Sequence, residues 1–173
     1  TSQNTYSQTV THTGNSSVTY AIGSTNTCGA SISGSTISFT KAGSVQVTAT
    51  VADTDQYTYA TKTATYTLTV SRATGILTLS ASSGSVTAGS SATITVSSSH
   101  GGTLSASATS GDTGRVGTIS GPSGNKFTVP TTGTTAASVI ITVKCAQTDT
   151  YAEKTVTYTL TINAVYSVGQ VIC

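Results

Sequence analysis

Charge is the scarcest property of this sequence. Only 7% of its 173 residues are charged, whereas ordinary soluble domains carry about 25%. The net charge of +2 is spread along the chain and forms no basic stripe, which argues against nucleic-acid binding through phosphate neutralisation. No stretch approaches the roughly 18 consecutive apolar residues that a membrane-spanning helix needs. We therefore expect neither nucleic-acid binding nor membrane insertion.

Strong helix formers are also rare, because the chain has no Met, little Glu and few long side chains. It has no Trp either, and two Pro. What it has in abundance is small hydroxyl residues, 40 Thr and 27 Ser, together with 17 Gly. Thr, Val, Ile and Tyr favour pleated, half-buried surfaces, and Gly favours turns. The composition therefore predicts an all-β fold.

The chain contains two copies of one unit. Residues 47–70 read VTATVADTDQYTYATKTATYTLTV, and residues 141–162 read ITVKCAQTDTYAEKTVTYTLTI. When Gln56 and Tyr57 are removed from the first copy, 22 positions align and 14 of them are identical. We therefore predict one domain at 1–71, a second at 72–163, and a tail or the start of a following domain at 164–173.

The last strand of each copy alternates between Thr and apolar residues. The apolar positions are Ala64, Tyr66, Leu68 and Val70 in the first copy, and Val156, Tyr158, Leu160 and Ile162 in the second. Alternation with a period of two places one face of a strand in the core and the other in water. A slip of one residue would bury the Thr face, so the sequence specifies the register firmly.

Further short alternating segments predict the remaining strands. They lie at 5–12, 17–22, 35–40, 44–52 and 62–71 in the first unit, and at 75–81, 84–87, 90–97, 102–108, 115–120, 125–129, 136–146 and 154–163 in the second. Many short strands separated by Gly-rich turns are typical of Greek-key β-sandwiches. The first unit has no counterpart of residues 75–87. Either it begins before residue 1, or another segment fills that edge.

The order of motifs in the second unit resembles a known family. It contains Leu77-Thr-Leu79, then GSVTAGSSATITV at 84–96, Val116-Gly-Thr-Ile119, Lys126-Phe-Thr-Val129 and VIITVKCA at 139–146. This order is similar to bacterial immunoglobulin-like domains of the group 2 type, which form tandem stalks in invasin-like and intimin-like surface proteins. The resemblance implies two tandem immunoglobulin-like (Ig-like) Greek-key β-sandwiches and no shared catalytic residues.

The residues that could support catalysis are few. His12 and His100 are the two histidines available as bases, and the sequence has no GxSxG motif. We interpret both histidines as surface residues.

Three cysteines at wide spacing fit neither a disulfide framework nor a CxxC metal motif. Cys145 shares a strand face with Ile141 and Val143, so we predict a buried, inert thiol. Cys28 lies in a Gly-containing loop and is expected to be exposed. A bridge between Cys145 and Cys173 is an alternative that requires the tail to fold back.

Three tyrosines at the loop ends of the two units are candidates for ligand contact. Tyr57 lies in the two-residue insertion of the first copy, whereas Tyr59 and Tyr151 occur in both copies. Exposed Tyr offers a large contact area at low entropic cost, but the same residues could instead plug the end of each sandwich. Nearby Asp55 and Asp149 are better explained by turn hydrogen bonding than by a Ca²⁺ site, which needs six to eight oxygens.

We therefore expect a non-enzymatic extracellular segment, a spacer or stalk of a bacterial surface protein, without catalytic residues, cofactor or metal. Two alternatives remain. One is a module that binds a glycan or a host protein through the loops around Tyr57 and Tyr59. The other is a self-assembling subunit of a pilus or virion, in which the tail or the N-terminal segment pairs with a neighbouring copy.

Overall fold

The computed structural model describes residues 5–12, 16–52 and 60–166, and these residues form an all-β protein. Four sheets make two sandwich-like units, and the chain divides into Thr1–Ala73 (unit 1) and Thr74–Cys173 (unit 2). The predicted fold class is therefore confirmed. Within the described residues, no helix is long and apolar enough to cross a membrane.

Unit 1 is built from two three-stranded sheets. Its strands are β1 (Thr5–Ser7), β2 (Val18–Asn26), β3 (Ser31–Ser33), β4 (Thr36–Ser38), β5 (Gly43–Val51) and β6 (Lys62–Val70). One sheet has the order β1-β4-β3 and the other has the order β2-β5-β6. All strand pairs in this unit are antiparallel.

Unit 2 is built from two four-stranded sheets. Its strands are β7 (Leu77–Leu79), β8 (Ser83–Thr87), β9 (Ser91–Ser98), β10 (Leu104–Gly111), β11 (Ser120–Ser123), β12 (Lys126–Pro130), β13 (Ala137–Cys145) and β14 (Lys154–Asn163). One sheet has the order β11-β12-β9-β7 and the other has the order β10-β13-β14-β8. The pair β8 and β14 is parallel, unlike the other strand pairs of the unit.

The two units share the same strand register. Val47 faces Tyr66 across β5 and β6, and Ile141 faces Tyr158 across β13 and β14. The sequence alignment of 47–70 with 141–162 places the same residues opposite one another. β5 and β6 of unit 1 are therefore equivalent to β13 and β14 of unit 2.

The opposite sheets also correspond. Tyr6 of β1 faces Ile37 of β4, and Ile94 of β9 faces Phe127 of β12. Ile37 and Phe127 each come just after the equivalent Gly-containing hairpins at 34–35 and 124–125. β1 and β4 are therefore equivalent to β9 and β12.

Most apolar positions of the last strands point inward, as the alternation predicts, but Ala64 near the start of β6 is exposed. Leu160 is fully buried in the core of unit 2, and Leu68 packs against the core of unit 1 while remaining half-buried. The Thr residues between them are exposed in both strands. Burial of the apolar face of each sheet is the main source of stability for such a sandwich.

The two units differ most in their opening strands. In unit 2, β7 pairs with β9 and β8 pairs with β14, so an extra strand closes one edge of each sheet. The described residues of unit 1 contain no counterpart of β7 or β8, and β1 and β6 are the last described strands of their sheets. Among the described residues, fourteen buried residues form the core of unit 2, whereas five form that of unit 1.

Two predicted elements were wrong in detail. A strand was predicted at 115–120, but Thr113–Arg115 forms one turn of 3-10 helix, Val116 makes a single bridge to Thr131, and the strand begins at Ser120. Short β3 was not predicted at all, because its Ser-Ile-Ser sequence offers one apolar residue and no readable period.

The difference in core size predicts that unit 1 opens more readily than unit 2. In dilute protein, amides of Gly43–Val51 should exchange with solvent about tenfold or more faster than those of the equivalent strand Ala137–Cys145. Hydrogen exchange followed by mass spectrometry of matched peptides measures this. Equal protection of the two strands would contradict the prediction.

Candidate functional site

The loop end of unit 2 holds the one described candidate for ligand contact. Tyr151 is half-buried, and its ring centre lies 5.5 Å from that of His100 at a tilt of 54°. Its backbone pairs with Thr148 through a 2.9 Å hydrogen bond from the Thr148 amide to the Tyr151 carbonyl oxygen. Tyr57 and Tyr59 lie outside the described residues. A ligand-binding role for these three tyrosines stays a prediction.

His100 is buried, with 4% of its surface exposed, so the interpretation of it as a surface residue was wrong. Its Nε2 lies 2.9 Å from the carbonyl oxygen of Ala152, and its Nδ1 lies 3.3 Å from that of Ile76. A carbonyl oxygen only accepts hydrogen bonds, so Nε2 carries the hydrogen of the first bond. The ring therefore joins the start of unit 2 to the loop before β14.

Gly75 is what allows the chain to cover this histidine. A Cβ atom at Gly75 would lie 2.3 Å from Cε1 of the His100 ring, which is closer than real contacts allow. The segment leading into β7 therefore approaches the ring because its residue has no side chain. Sequence reasoning missed this contact because three strands, β7 to β9, lie between the two residues in the chain.

His12 occupies the equivalent position in unit 1 but has a different environment. It lies six residues after Tyr6, as His100 lies six residues after Ile94, and it is exposed as predicted. It lines a cavity of about 160 Å³ together with Val10, Val51 and Lys62. The described part of unit 1 has no segment equivalent to Gly75 and Ile76 to cover the ring.

Both described cysteines are free and fully buried. The prediction for Cys145 is confirmed: its Sγ lies 3.4 Å from the Ser98 hydroxyl and 3.5 Å from the Gly102 carbonyl oxygen. The prediction that Cys28 is exposed was wrong, since 0% of its surface is accessible. Cys173 lies outside the described residues.

The loop around Cys28 explains its burial. The Asn26 side chain bonds both backbone groups of Ala30, at 2.8 and 2.9 Å, and the amides of Thr40 and Lys41 donate to the Cys28 carbonyl oxygen at 3.2 Å. These bonds fold the loop over the end of the core, where the thiol packs among apolar residues. A buried thiol without a nearby base or cation is a packing residue rather than a nucleophile.

The uncovered edge of unit 1 carries unsatisfied polar groups. The Tyr66 hydroxyl on β6 is buried without a hydrogen-bond partner, and burial, followed by the neighbouring Tyr6 and Tyr20, raises the pKa of Tyr66. Gln8, which is 4% exposed, has both polar side-chain atoms buried and unpaired. Such groups are rare in native proteins.

Metal-binding residues do not gather in the part of the chain that the structure describes. It contains no group of three His, Cys, Asp or Glu residues placed to hold an ion. Asp149 is exposed, and Asp55 lies outside the described residues. The one described ion pair joins the half-exposed side chains of Lys144 and Glu153, an arrangement that contributes little stability.

No protein-family model and no curated protein sequence matches this chain. The chain is similar in structure to domains 1–6 of the surface layer protein SbsC, with 22% identity, a TM-score of 0.40, and coverage of 87% of this chain and 20% of that one. It therefore spans about a fifth of that structure.

Two further structures give similar values. Domains 4 and 5 of the S-layer protein SbsC match with 18% identity and a TM-score of 0.38, covering 85% of this chain and 70% of that one. The endo-fucoidan hydrolase MfFcnA4 of glycoside hydrolase family 107 matches with 15% identity and a TM-score of 0.38, covering 88% and 24%. A surface protein and a hydrolase score alike, so this likeness carries no argument about function.

His100 and His12 provide a matched pair for substitution. We expect His100→Phe to lower the free energy of unfolding of unit 2 by about 1–3 kcal/mol, because it removes the ring N–H that donates to the Ala152 carbonyl oxygen. His12→Phe, at the equivalent exposed position, should change the stability of unit 1 by less than about 0.5 kcal/mol. Urea unfolding followed by circular dichroism measures both. Equal effects would remove the structural role assigned to His100.

Thiol labelling tests the burial of the cysteines. In a Cys173→Ser variant, Cys28 and Cys145 should both resist labelling in native buffer and react fully in denaturant. Because the core of unit 1 is smaller, Cys28 should react at a lower urea concentration than Cys145. Rapid labelling of Cys28 without denaturant would show that the loop does not cover it.

Proposed function

We propose that this chain is a non-enzymatic, load-bearing segment of a bacterial surface protein, acting as a spacer or stalk. The observation that carries the proposal is the parallel pairing of β8 with β14 in unit 2. β8 follows the short opening strand β7, and β14 is the last strand of the unit, so a pull on the two ends of the unit loads this ladder once β7 has separated from β9.

The direction of pairing decides how the ladder responds to force. A pull on the chain before β8 and after β14 slides two parallel strands along each other, so the hydrogen bonds between them are loaded together. The ladder runs from the Thr159 amide, which donates to the Ser82 carbonyl oxygen at 3.0 Å, to the Ala88 amide, which donates to that of Asn163 at 2.9 Å. Breaking several bonds at once requires more force than peeling them one by one.

The exposed faces support a role without charged partners. Outward positions of β6 and β14 are mostly Thr, and cross-strand hydroxyl pairs such as Thr109 and Thr142, 2.7 Å apart, occupy the outer face of β10 and β13. Hydroxyl groups keep a surface hydrated without adding a net charge, so they create no electrostatic potential that attracts charged molecules. A low-charge coat suits a segment that separates other parts of a protein.

The polar chemistry of unit 2 supports a non-enzymatic role. The Ser98 hydroxyl lies 3.4 Å from Nδ1 of His100 and 3.4 Å from Sγ of Cys145. His100 and Cys145 are buried, Ser98 is half-buried, and Nε2 of His100 donates to the Ala152 carbonyl oxygen. A nucleophile that substrate cannot reach stabilises the fold rather than performing catalysis.

Single-molecule pulling of the full chain tests the load-bearing proposal. Val86→Pro should lower the force at which unit 2 unfolds, because the alternation of the ladder directs the Val86 amide towards β14 and proline removes it. Ser85→Pro is the matched control, because the Ser85 amide points away from β14 and proline is tolerated there. Equal unfolding forces for the two variants would refute a mechanical role of this ladder.

Antibody labelling of intact cells tests the location. An antibody raised against the purified chain should label unpermeabilised cells of the source organism. Labelling that requires permeabilisation would overturn the assignment to the surface, whatever the pulling experiment shows.

A further inference from the structure

Unit 2 provides a template for what unit 1 lacks. In unit 2, β8 lies beside β14 with Gly84 opposite Leu160 and Val86 opposite Ile162. The equivalent positions on β6 are Leu68 and Val70, and no described strand lies beside them. The empty edge therefore has a defined direction and register.

Burial along this edge reports the missing strand. Tyr158, Leu160 and Ile162 are all buried on β14, whereas the equivalent residues Tyr66 and Leu68 on β6 are half-buried. The sequences of the two strands are almost identical here, so the residues themselves do not cause the difference. In unit 2, β14 contacts both β8 and β7, whereas no described counterpart of either strand covers β6.

Gln8 lies at the position on the opposite sheet of unit 1 where a second edge strand is also not described. Its amide donates to the Ser35 carbonyl oxygen at 2.9 Å, as the amide of Val96 donates to that of Asn125 at 2.9 Å, so Gln8 and Val96 are equivalent. Val96 pairs with Leu79 of β7. The side-chain amide of Gln8, which has no hydrogen-bond partner, therefore lies at the edge where unit 2 has β7.

We propose that the β6 edge of unit 1 accepts residues 168–172 of a second copy of this chain as an added parallel strand. The inference goes beyond the spacer function and does not depend on it. The added strand would place Gly169 opposite Leu68 and Val171 opposite Val70, as Gly84 and Val86 lie opposite their partners in unit 2.

Glycine at the first of these positions is a steric requirement of the edge. A Cβ atom on Gly84 would lie 2.1 Å from the Tyr158 hydroxyl oxygen. Tyr66 is equivalent to Tyr158, so a strand added to β6 also needs glycine opposite Leu68. The Gly-x-Val pattern of 169–171 meets this requirement and repeats that of 84–86.

The tail is suited to pairing in length and character. Residues 164–173 carry no charged side chain, and the two described residues Val165 and Tyr166 are 47% and 89% exposed. A five-residue strand spans about 17 Å, and the seven residues after Tyr166 are enough to supply it. Charged residues are the usual protection of a free edge against added strands, and Lys62 is the one charged residue on β6.

Such pairing is heterologous, because the tail of one copy meets the first unit of the next. A heterologous contact that does not close into a ring produces an open chain of subunits. Each junction would also supply unit 1 with a parallel strand like the one that bears load in unit 2. The proposal therefore predicts concentration-dependent, head-to-tail assembly.

Sedimentation of the full chain, carrying Cys173→Ser to prevent disulfide linkage, tests the proposal. Average mass should rise with protein concentration, and a Gly169→Ile variant should weaken the association by about tenfold or more, because its side chain collides with Tyr66. Gln170→Ile is the matched control, because in the proposed added strand residue 170 would face away from Tyr66, and the variant should assemble like the parent. Neither change touches the described sheets, so folding is not at stake.

Hydrogen exchange locates the contact. Amides of Lys62–Val70 should gain protection on assembly in the parent and in Gln170→Ile, but not in Gly169→Ile. A monomer at every concentration would overturn the proposal. Tail-dependent protection in a monomer would place the strand in the same chain, and equal association of the two variants would assign it to other residues; both results would also overturn the proposal.

Discussion

The burial of every second side chain in β5–β6 and β13–β14 is the constraint on which the rest of the structure depends. Val47 faces Tyr66, and Ile141 faces Tyr158, because only this register places all oily side chains on one side of the pair. With that face fixed inward, the opposite sheet has to cover it, and each loop has to close one end of the resulting core. The few charged side chains therefore contribute little to specifying the fold.

Much of this fold could be predicted from the sequence because the chain contains an internal repeat. The repeat and its alternation predicted the register of the last strand pairs and the burial of Cys145. The environments of Cys28 and His100 were not readable, because each depends on chain segments distant in sequence: an asparagine-held loop in one case, and the close approach of Gly75 in the other. Residues Thr113–Arg115 show a third limit, since a 3-10 turn beside a Gly-rich segment has no period to detect.

The candidate site was predicted less well than the fold. Sequence reasoning looked for aromatic side chains at loop ends, and the one described member, Tyr151, packs on a buried ring. The feature that stands out in three dimensions is an absence: two strands present in one unit and not described in the other. Sequence comparison showed that residues 75–87 lack a counterpart, but only the structure shows the half-buried Leu68 and the unpaired hydroxyl of Tyr66 that result.

Two nearly identical hairpins in one chain also create a sorting problem during synthesis, since β6 and β14 could each pair with the wrong partner. The strands that flank them differ in size at equivalent positions: Tyr20 and Ile22 line β2, where Ala106 and Ala108 line β10. A hairpin that joined the wrong sheet would meet either a void or an obstruction. The side chains next to the repeated hairpins differ in volume between the two copies. This difference therefore favours pairing of each hairpin with the strand of its own unit as the chain emerges.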